Sequence, residues 1–306
     1  MRVLVTGGAG FIGSHVADAF LARDDDVLVV DDLSTGQKTN VPDGAAFEEA
    51  DIADGNALEH AFESEPELVC HLAAQASVTV SVEDPVLDCT SNVLGTLNVL
   101  EAARKRGAPV VFASTGGALY GDGAPLPTPE DFPARPLSPY GASKLAGEAY
   151  VATWARLYEV PNVVLRLGNV YGPRQNPHGE AGVVAIFSGR LLDGAQPSLR
   201  GEGKPTRDYV YVDDVASAFV SAAGGGRAGT YNVGTGRQTS TARLLDLLQK
   251  AMGTAIEAQQ VELQSGELQA SALDASLIER ELGWRPTVEL EDGLSKTLDW
   301  YRHTKR

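Results

Sequence analysis

The feature that most constrains the fold of this chain is a glycine-rich turn near its amino terminus. The short apolar run Arg2–Thr6 is typical of a buried strand, and Gly7-Gly8-Ala9-Gly10-Phe11-Ile12-Gly13 and a helical pattern follow it. Glycine permits a tight turn and lets the backbone approach a pyrophosphate, which binds at the positive N-terminus of a helix. This order predicts the first βα unit of a dinucleotide-binding fold. The candidate cofactor contacts in the turn are Gly7, Gly10, Phe11, Ile12 and Gly13.

The amino-terminal half then alternates short β-branched runs with longer helical patterns. The runs are nearly continuous in apolar residues, as expected for strands covered on both faces. The pattern predicts an α/β fold with a doubly wound, parallel Rossmann sheet. The predicted strands are 2–6, 27–31, 67–72, 109–114 and 162–167, and the predicted helices are 11–23, 56–64, 85–106 and 139–159.

The alternation loosens beyond about residue 166, where prolines and the Gly224–Gly226 run interrupt it. Helical patterns continue after Thr239 and after Asp274. We therefore expect an NAD-binding domain over 1–165 and a smaller C-terminal α/β substrate lobe over 166–306, with the chain partly interleaved between them.

The composition argues against two classes of partner. The 25 basic and 41 acidic residues give a formal net charge of −16, which repels nucleic acids and anionic lipid surfaces. The two cysteines, Cys70 and Cys89, suggest no disulfide framework, and from the sequence we expect neither a signal sequence nor a membrane-spanning segment. We expect a cytoplasmic protein with no nucleic acid, membrane or metal partner.

An acidic residue at the end of the second predicted strand bears on cofactor choice. Asp31 follows Gly13 by 18 positions, and its carboxylate would accept hydrogen bonds from an adenosine ribose and repel a 2′-phosphate. NAD is therefore favoured over NADP. Asp32 is also a candidate, although a solvated turn is the plainer interpretation. Asp51 and Ile52 are candidates to flank the adenine, and an acidic loop explains them nearly as well.

Tyr140 and Lys144 form a candidate catalytic pair at the start of the fourth predicted helix. Their i, i+4 spacing puts the phenol and the ammonium on one helix face. A nearby cation stabilises a phenolate and lowers its pKa from about 10, so the tyrosine becomes a usable base. Taken alone, such a pair is more often a surface feature, but the glycine turn in the same chain favours catalysis.

With these motifs, the sequence resembles the extended short-chain dehydrogenase/reductase family and, within it, the nucleotide-sugar 4-epimerases. The resemblance covers almost the whole chain and implies that Tyr140 and Lys144 are catalytic. It also implies cofactor contacts at Leu72, Ala73, Ala74 and Asn92, and substrate contacts at Asn169, Arg207 and Ser271. Related epimerases pair through the helices at 85–106 and 139–159, so a homodimer is implied as well.

Three positions depart from the family pattern. Gly116 stands where epimerases carry a serine or threonine hydroxyl, and Thr115, Ser114 or a water would have to replace it. Gln264 stands where a second diphosphate-binding arginine is usual, and Arg200 where an aromatic ring often stacks on uracil. A guanidinium plane can also stack on a base.

The resemblance implies NAD-dependent epimerisation at C4 of a nucleotide-diphosphate sugar through a transient 4-keto intermediate. The sugars would be UDP-glucose and UDP-galactose, with the N-acetyl forms admitted if Ser271 leaves room beside C2. Residues Gly116–Ala118 supply no acid or base for elimination. A dehydratase or dehydrogenase of the same family and a non-catalytic NAD-sensing protein remain the alternatives.

Overall fold

A central parallel sheet of seven strands organises the protein. The computed structural model describes residues 1–177, 182–262 and 268–304. The strand order is β11-β6-β5-β4-β1-β2-β3, and every neighbouring pair is parallel. The strands are β1 (Arg2–Thr6), β2 (Asp26–Asp31), β3 (Ala46–Glu49), β4 (Leu68–His71), β5 (Val110–Thr115), β6 (Val163–Leu167) and β11 (Gly229–Val233).

Helices cover both faces of this sheet, because side chains that alternate along each strand enter two separate cores. On one face Phe20 and Phe219 pack in one core, and on the other face Leu58, Leu100 and Val151 pack in a second core. The helices concerned are α1 (Phe11–Leu21) and α8 (Val212–Gly224) on the first face, and α2 (Gly55–Ala61), α5 (Gly95–Arg106) and α6 (Pro139–Tyr158) on the second. The predicted doubly wound Rossmann fold is confirmed.

Two strands of the sheet were not among the five predicted. Strand β3 is short and half polar, with the burial of an edge strand, so its apolar signal is weak. Strand β11 comes from residues 229–233, inside the region expected to form the substrate lobe, and it pairs with β6. The chain therefore returns to the first sheet after residue 166, while the division into two domains at residue 165 stays a prediction.

The predicted helix 85–106 is three consecutive pieces. Helix α4 (Pro85–Cys89) leads into a π-helical segment, Thr90–Leu94, and then into α5. A short helix, α3 (Val78–Glu83), precedes them. Single π turns in helices often mark functional positions, and this one carries Asn92.

The remaining elements lie beyond β6 and include three two-stranded pairings. An aromatic and leucine-rich core lies among most of them, whereas Ile278 packs in the core on the first face of the large sheet. The strands are β7 (Asn169–Tyr171) with β10 (Tyr209–Tyr211), β8 (Ser198–Arg200) with β13 (Gln259–Val261), and β9 (Thr206–Arg207) with β12 (Thr239–Ser240). The helices are α7 (Val183–Leu192), α9 (Thr241–Met252), α10 (Ser276–Leu282) and α11 (Leu290–Thr304). Within the described residues, no helix has the length and apolar character to cross a membrane.

Candidate active site

The glycine loop closes tightly over the end of β1. Gly7 has a φ of +72°, which L side chains rarely adopt, and its amide donates to the Val30 carbonyl at 2.8 Å. A Cβ added to Gly13 would lie 2.1 Å from the Gly7 carbonyl oxygen, so no side chain fits where the loop meets α1. Gly10 caps α1 without a side-chain hydrogen bond. The loop thus presents bare backbone at a helix N-terminus, which fits the pyrophosphate of NAD.

Asp31 ends β2 beside this loop. Its carboxylate accepts from the Ala9 amide at 3.0 Å and from the Leu33 amide at 2.9 Å. Burial raises the pKa of Asp31, and these backbone amides oppose the rise. Asp32 is exposed and its oxygen accepts from the amide and hydroxyl of Ser34, as in a solvated turn. Of the two carboxylates, only that of Asp31 hydrogen bonds to the glycine loop.

The other predicted cofactor contacts near the glycine loop differ in exposure. Asp51 is exposed and its carboxylate accepts from the Ala53 amide at 2.8 Å, whereas Ile52 is buried and packs close to Gly95. Leu72, Ala73 and Ala74 follow β4 and are half-buried. The Ala73 amide is 2.5 Å from the position of a Cβ on Gly7, so this segment adjoins the glycine loop.

Tyr140 and Lys144 lie in the first turns of α6. The helix begins at Pro139 after Ser138, whose hydroxyl accepts from the Gly141 amide. The Lys144 ammonium is buried and donates to the Ala113 carbonyl of β5 at 3.1 Å. Burial lowers the pKa of Lys144 to about 8 and raises that of Tyr140 to about 12. Both residues therefore adjoin the end of β5. The lowering of the tyrosine pKa by a nearby cation, expected from the sequence, is wrong for this structure, because burial outweighs it.

Ser114 and Thr115 are consecutive residues of β5, so their side chains point to opposite faces of the sheet. The Ser114 hydroxyl donates to the buried Glu148 carboxylate at 2.5 Å. Thr115 accepts from the Ala118 amide at 3.2 Å, and hydrogen bonding with Thr115 lowers the pKa of Tyr140. Of the two hydroxyls proposed from the sequence, that of Thr115 adjoins the tyrosine.

Asn92 is held beneath α6 by its side-chain amide. The amide nitrogen shares its two hydrogens among three acceptors, the Gln75 carbonyl at 2.9 Å, Asp88 at 3.0 Å and the Ser143 hydroxyl at 3.0 Å. Its amide oxygen is buried and has no hydrogen-bond partner among the described residues. A buried acceptor of this kind is costly unless a donor arrives, which is consistent with a ligand contact.

A directed chain of hydrogen bonds links β1, β4 and the π segment through His71. Burial, with the Lys144 charge adding to it, lowers the pKa of His71 to about 3, so the ring is neutral. The Thr6 hydroxyl lies 2.7 Å from Nδ1, and the Thr96 hydroxyl lies 3.0 Å from Nε2 and donates to the Asn92 carbonyl. Nε2 therefore carries the hydrogen, and the ring ties the glycine loop to Asn92.

The predicted substrate contacts come from several short segments. Asn169 lies on β7, and its buried amide oxygen has no hydrogen-bond partner in the described part of the chain and lies 3.5 Å from the position of a Cβ on Gly117. Arg207 lies on β9, and the Ser271 amide donates to the Thr206 carbonyl beside it at 3.2 Å. Arg200 is exposed at the end of β8. Gln264 lies outside the described residues.

The structure leaves no space for a side chain at Gly116, where epimerases carry a hydroxyl. A Cβ on Gly116 would lie 2.5 Å from a methyl group of Leu273. Leu273 is buried, and its amide donates to the buried Asp208 carboxylate at 3.0 Å. The leucine side chain therefore takes up the room that a side chain at residue 116 would need.

Sequence reasoning missed two buried carboxylates at this site. Glu148 forms a bidentate pair with Arg166, at 2.7 Å for the shortest contact, and anchors Ser114. Asp88 accepts from Asn92 and from Gln75. A signal for Asp88 was its i, i−4 spacing to Asn92, which places the two on one helix face. No cluster of three or more metal-binding side chains occurs within the described ranges.

Known proteins resemble this chain in sequence and in structure. The sequence profile of the NAD dependent epimerase/dehydratase family matches residues 3–234. The chain belongs to this family. The UDP-glucose 4-epimerase of Mycolicibacterium smegmatis is 46% identical over 312 aligned positions that cover 99% of each chain.

Two solved structures of the same family are similar over the full length. UDP-glucose 4-epimerase of Thermotoga maritima with UDP-glucose superposes with a TM-score of 0.98 at 45% identity and covers 100% of each chain. The Thermus thermophilus UDP-glucose 4-epimerase complex with NAD gives a TM-score of 0.93 at 49% identity and covers 99% of each chain. The resemblance to nucleotide-sugar 4-epimerases that the sequence indicates is confirmed.

Proposed function

We propose that this protein is an NAD-dependent 4-epimerase that interconverts UDP-glucose and UDP-galactose. The observation that carries the proposal is the meeting of Tyr140, Lys144 and Thr115 at the end of β5, beside a glycine loop of bare backbone. The named relatives at 45% to 49% identity support the same reaction and the cofactor NAD. The family membership agrees with that cofactor.

The side chains of the site divide the proton chemistry among them. Bound NAD supplies a reversible hydride acceptor for C4 of the sugar. Tyr140 takes the proton of the C4 hydroxyl, and the Lys144 ammonium and the Thr115 hydroxyl stabilise its phenolate. After the 4-keto sugar turns over, Tyr140 returns the proton on the other face. The reaction consumes no external reductant.

The loop that faces this pair favours epimerisation over elimination. Residues Gly116–Ala118 contain no acidic or basic side chain, and Leu273 closes the space above Gly116. A dehydratase needs such a group to remove a proton or a hydroxyl after oxidation. The intact tyrosine and lysine argue against a protein that only senses NAD.

The substrate contacts are part of the proposal. The Arg207 guanidinium is suited to a nucleotide diphosphate and that of Arg200 to stacking on the base. The Asn169 amide oxygen, which has no hydrogen-bond partner among the described residues, is suited to a hydroxyl or N–H donor of the substrate. The Ser271 amide donates to the Thr206 carbonyl next to Arg207, and in this proposal the small serine side chain leaves room beside C2 of the sugar. We therefore include UDP-GlcNAc and UDP-GalNAc among the sugars accepted.

We also propose a cytoplasmic homodimer. Apolar side chains on α3, α4 and α6 are open to solvent, with Val86 73%, Val82 63% and Leu157 62% exposed. Such a face is unusual on a monomer and suits a second copy of the chain. Both cysteines are free thiols, which agrees with a reducing compartment. Light scattering should give twice the chain mass, and a monomer mass would refute the dimer.

The function is tested by incubating the protein with UDP-glucose and NAD and separating the products. We expect UDP-galactose, the reverse reaction from UDP-galactose, and no accumulation of free NADH. Tyr140→Phe is the matched control for contaminating activity. Stoichiometric NADH would indicate a dehydrogenase, a 4-keto-6-deoxy product a dehydratase, and NAD binding without turnover a sensor.

A further inference from the structure

A buried carboxylate that the mechanism above does not use lies beside the catalytic helix. Asp88, on α4, is 1% exposed, whereas its helix neighbours Val86 and Leu87 face solvent. No basic side chain among the described residues forms an ion pair with it. A buried charge is costly without compensation, so its surroundings must supply it.

Amide donors supply part of this compensation and connect Asp88 to α6. One oxygen, Oδ1, accepts from Gln75 Nε2 at 2.9 Å and from Asn92 Nδ2 at 3.0 Å. Asn92 Nδ2 also donates to the Ser143 hydroxyl, which donates to the Tyr140 carbonyl, each at 3.0 Å. A continuous set of hydrogen bonds therefore runs from the carboxylate to the first turn of the catalytic helix.

We propose that Asp88 is a positioning residue of the epimerase, which orients the Asn92 amide and supplies the negative charge that faces the Tyr140–Lys144 pair. This inference rests on the proposed roles of that pair. Gln75 belongs to the segment after β4, Asn92 to the π segment and Ser143 to α6. The carboxylate is thus the common anchor of three elements that meet under the site.

The charges around the pair identify Asp88 as the carboxylate that is not neutralised locally. Glu148, on α6, is paired with Arg166 and raises the pKa of Lys144 less than Asp88 does, and His71, on β4, is neutral. Burial raises the pKa of Tyr140, and the charge of Asp88 raises it further. Burial lowers the pKa of Lys144, and the charge of Asp88 partly opposes that lowering. Removing the charge should therefore lower both pKa values.

Two substitutions separate the charge from the hydrogen bonds. Asp88→Asn removes the charge but keeps a carbonyl oxygen at Oδ1, which is the atom that accepts both amide bonds. Asp88→Ala removes the charge and both bonds. Asp84→Asn is the matched control, because Asp84 is an exposed carboxylate on the same helix, and asparagine retains its N-cap function.

The test measures the pH dependence of kcat and, separately, NAD binding by calorimetry without substrate. For Asp88→Asn we expect the alkaline limb, at which the Lys144 ammonium loses its charge, to move to lower pH, with NAD affinity within about twofold. For Asp88→Ala we expect the same shift and roughly tenfold weaker NAD binding, since two hydrogen bonds are lost. Asp84→Asn should leave both readouts unchanged.

An unshifted alkaline limb in Asp88→Asn, or equal NAD affinity in the Asn and Ala variants, would overturn the proposal. Limb positions do not depend on the fraction of folded enzyme, so partial misfolding cannot mimic the shift. The binding comparison needs no turnover. The NAD-binding comparison therefore tests the orienting role of Asp88 by itself. It would still do so if an active Tyr140→Phe variant showed that the proposed role of the Tyr140–Lys144 pair is wrong.

Discussion

On the cofactor side of the site, the key groups follow neighbouring strands of one parallel sheet, whereas on the substrate side they sit on strands of two or three residues. The glycine loop follows β1, Asp31 is the last residue of β2, and Ala73 follows β4. Asn169 and Arg207 lie on β7 and β9, which pair only with short strands from other parts of the chain. The first side is fixed by a continuous ladder and the second by a few local contacts.

This difference assigns separate tasks to the two sides. Parallel strands packed on both faces hold backbone atoms rigidly, as a hydride transfer between cofactor and sugar requires. Short segments change shape with small substitutions, so the substrate side can change sugar preference while the cofactor side stays intact. Changes on the cofactor side should therefore abolish or redirect redox chemistry, and changes on the substrate side should reorder substrates.

The largest effect is expected for Tyr140→Phe. The substitution removes the phenolic oxygen and keeps the ring, so turnover should fall by about 10²-fold to 10⁴-fold, the usual contribution of general acid–base catalysis. NAD binding, measured by calorimetry, should stay close to that of the unmodified protein. Near-normal turnover would show that Tyr140 is not the acid–base group of the reaction.

A smaller loss is expected for Thr115→Val, at the border of the two sides. The valine lacks the hydroxyl that adjoins the phenolate, and a hydrogen bond to a charged group contributes ~1.5–3 kcal/mol, so kcat should fall by roughly 10-fold to 10²-fold. Ser114→Ala is the matched control, because its hydroxyl bonds Glu148 instead. Equal, small effects on kcat from both variants would indicate that a water supplies the hydrogen bond.

Asp31→Ala tests whether the carboxylate at the end of β2 selects NAD over NADP. Loss of the carboxylate should weaken NAD binding by about tenfold, because its hydrogen bonds to ribose hydroxyls are lost, while NADP binding improves relative to NAD. The measurement is the ratio of the two dissociation constants. If the unmodified protein already binds NADP as tightly as NAD, Asp31 does not discriminate between them.

Ser271→Tyr should give the smallest effect and a selective one. A tyrosine would fill the volume proposed for a C2 acetamido group, and overpacking costs ~1–3 kcal/mol, so kcat/KM for UDP-GalNAc should fall roughly fivefold or more relative to UDP-galactose. Ser271→Ala controls for loss of the hydroxyl. Parallel loss of both substrates would show that residue 271 supports the lobe and does not gate the sugar.

The sequence predicts more of the cofactor side than of the substrate side, because the cofactor side is built from local patterns. A glycine turn, an acidic strand end and an i, i+4 pair are local patterns, so the amino-acid order alone assigns Gly13, Asp31 and Tyr140 their places. Leu273 meets Gly116 across a separation of more than 150 residues, which no local pattern encodes. The absence of a side chain at Gly116 is visible in the sequence, but the leucine that fills its space is not.

Two further features lie beyond sequence patterns. Strand β11 joins the sheet beside β6 although it begins 62 positions after β6 ends, and its short apolar run resembles many others. The π segment interrupts a helical pattern that continues on both sides, so periodicity alone predicts one helix. Tertiary packing decides both.

The central claim is that the hydride removed from C4 returns to C4 of the same sugar. Incubation with UDP-glucose deuterated at C4 tests it most directly, with mass and NMR analysis of the product and of the cofactor. We predict UDP-galactose that retains the deuterium at C4, with no label in solvent or in released cofactor. Label found in free NADH, or lost to water, would contradict epimerisation by a transient oxidation.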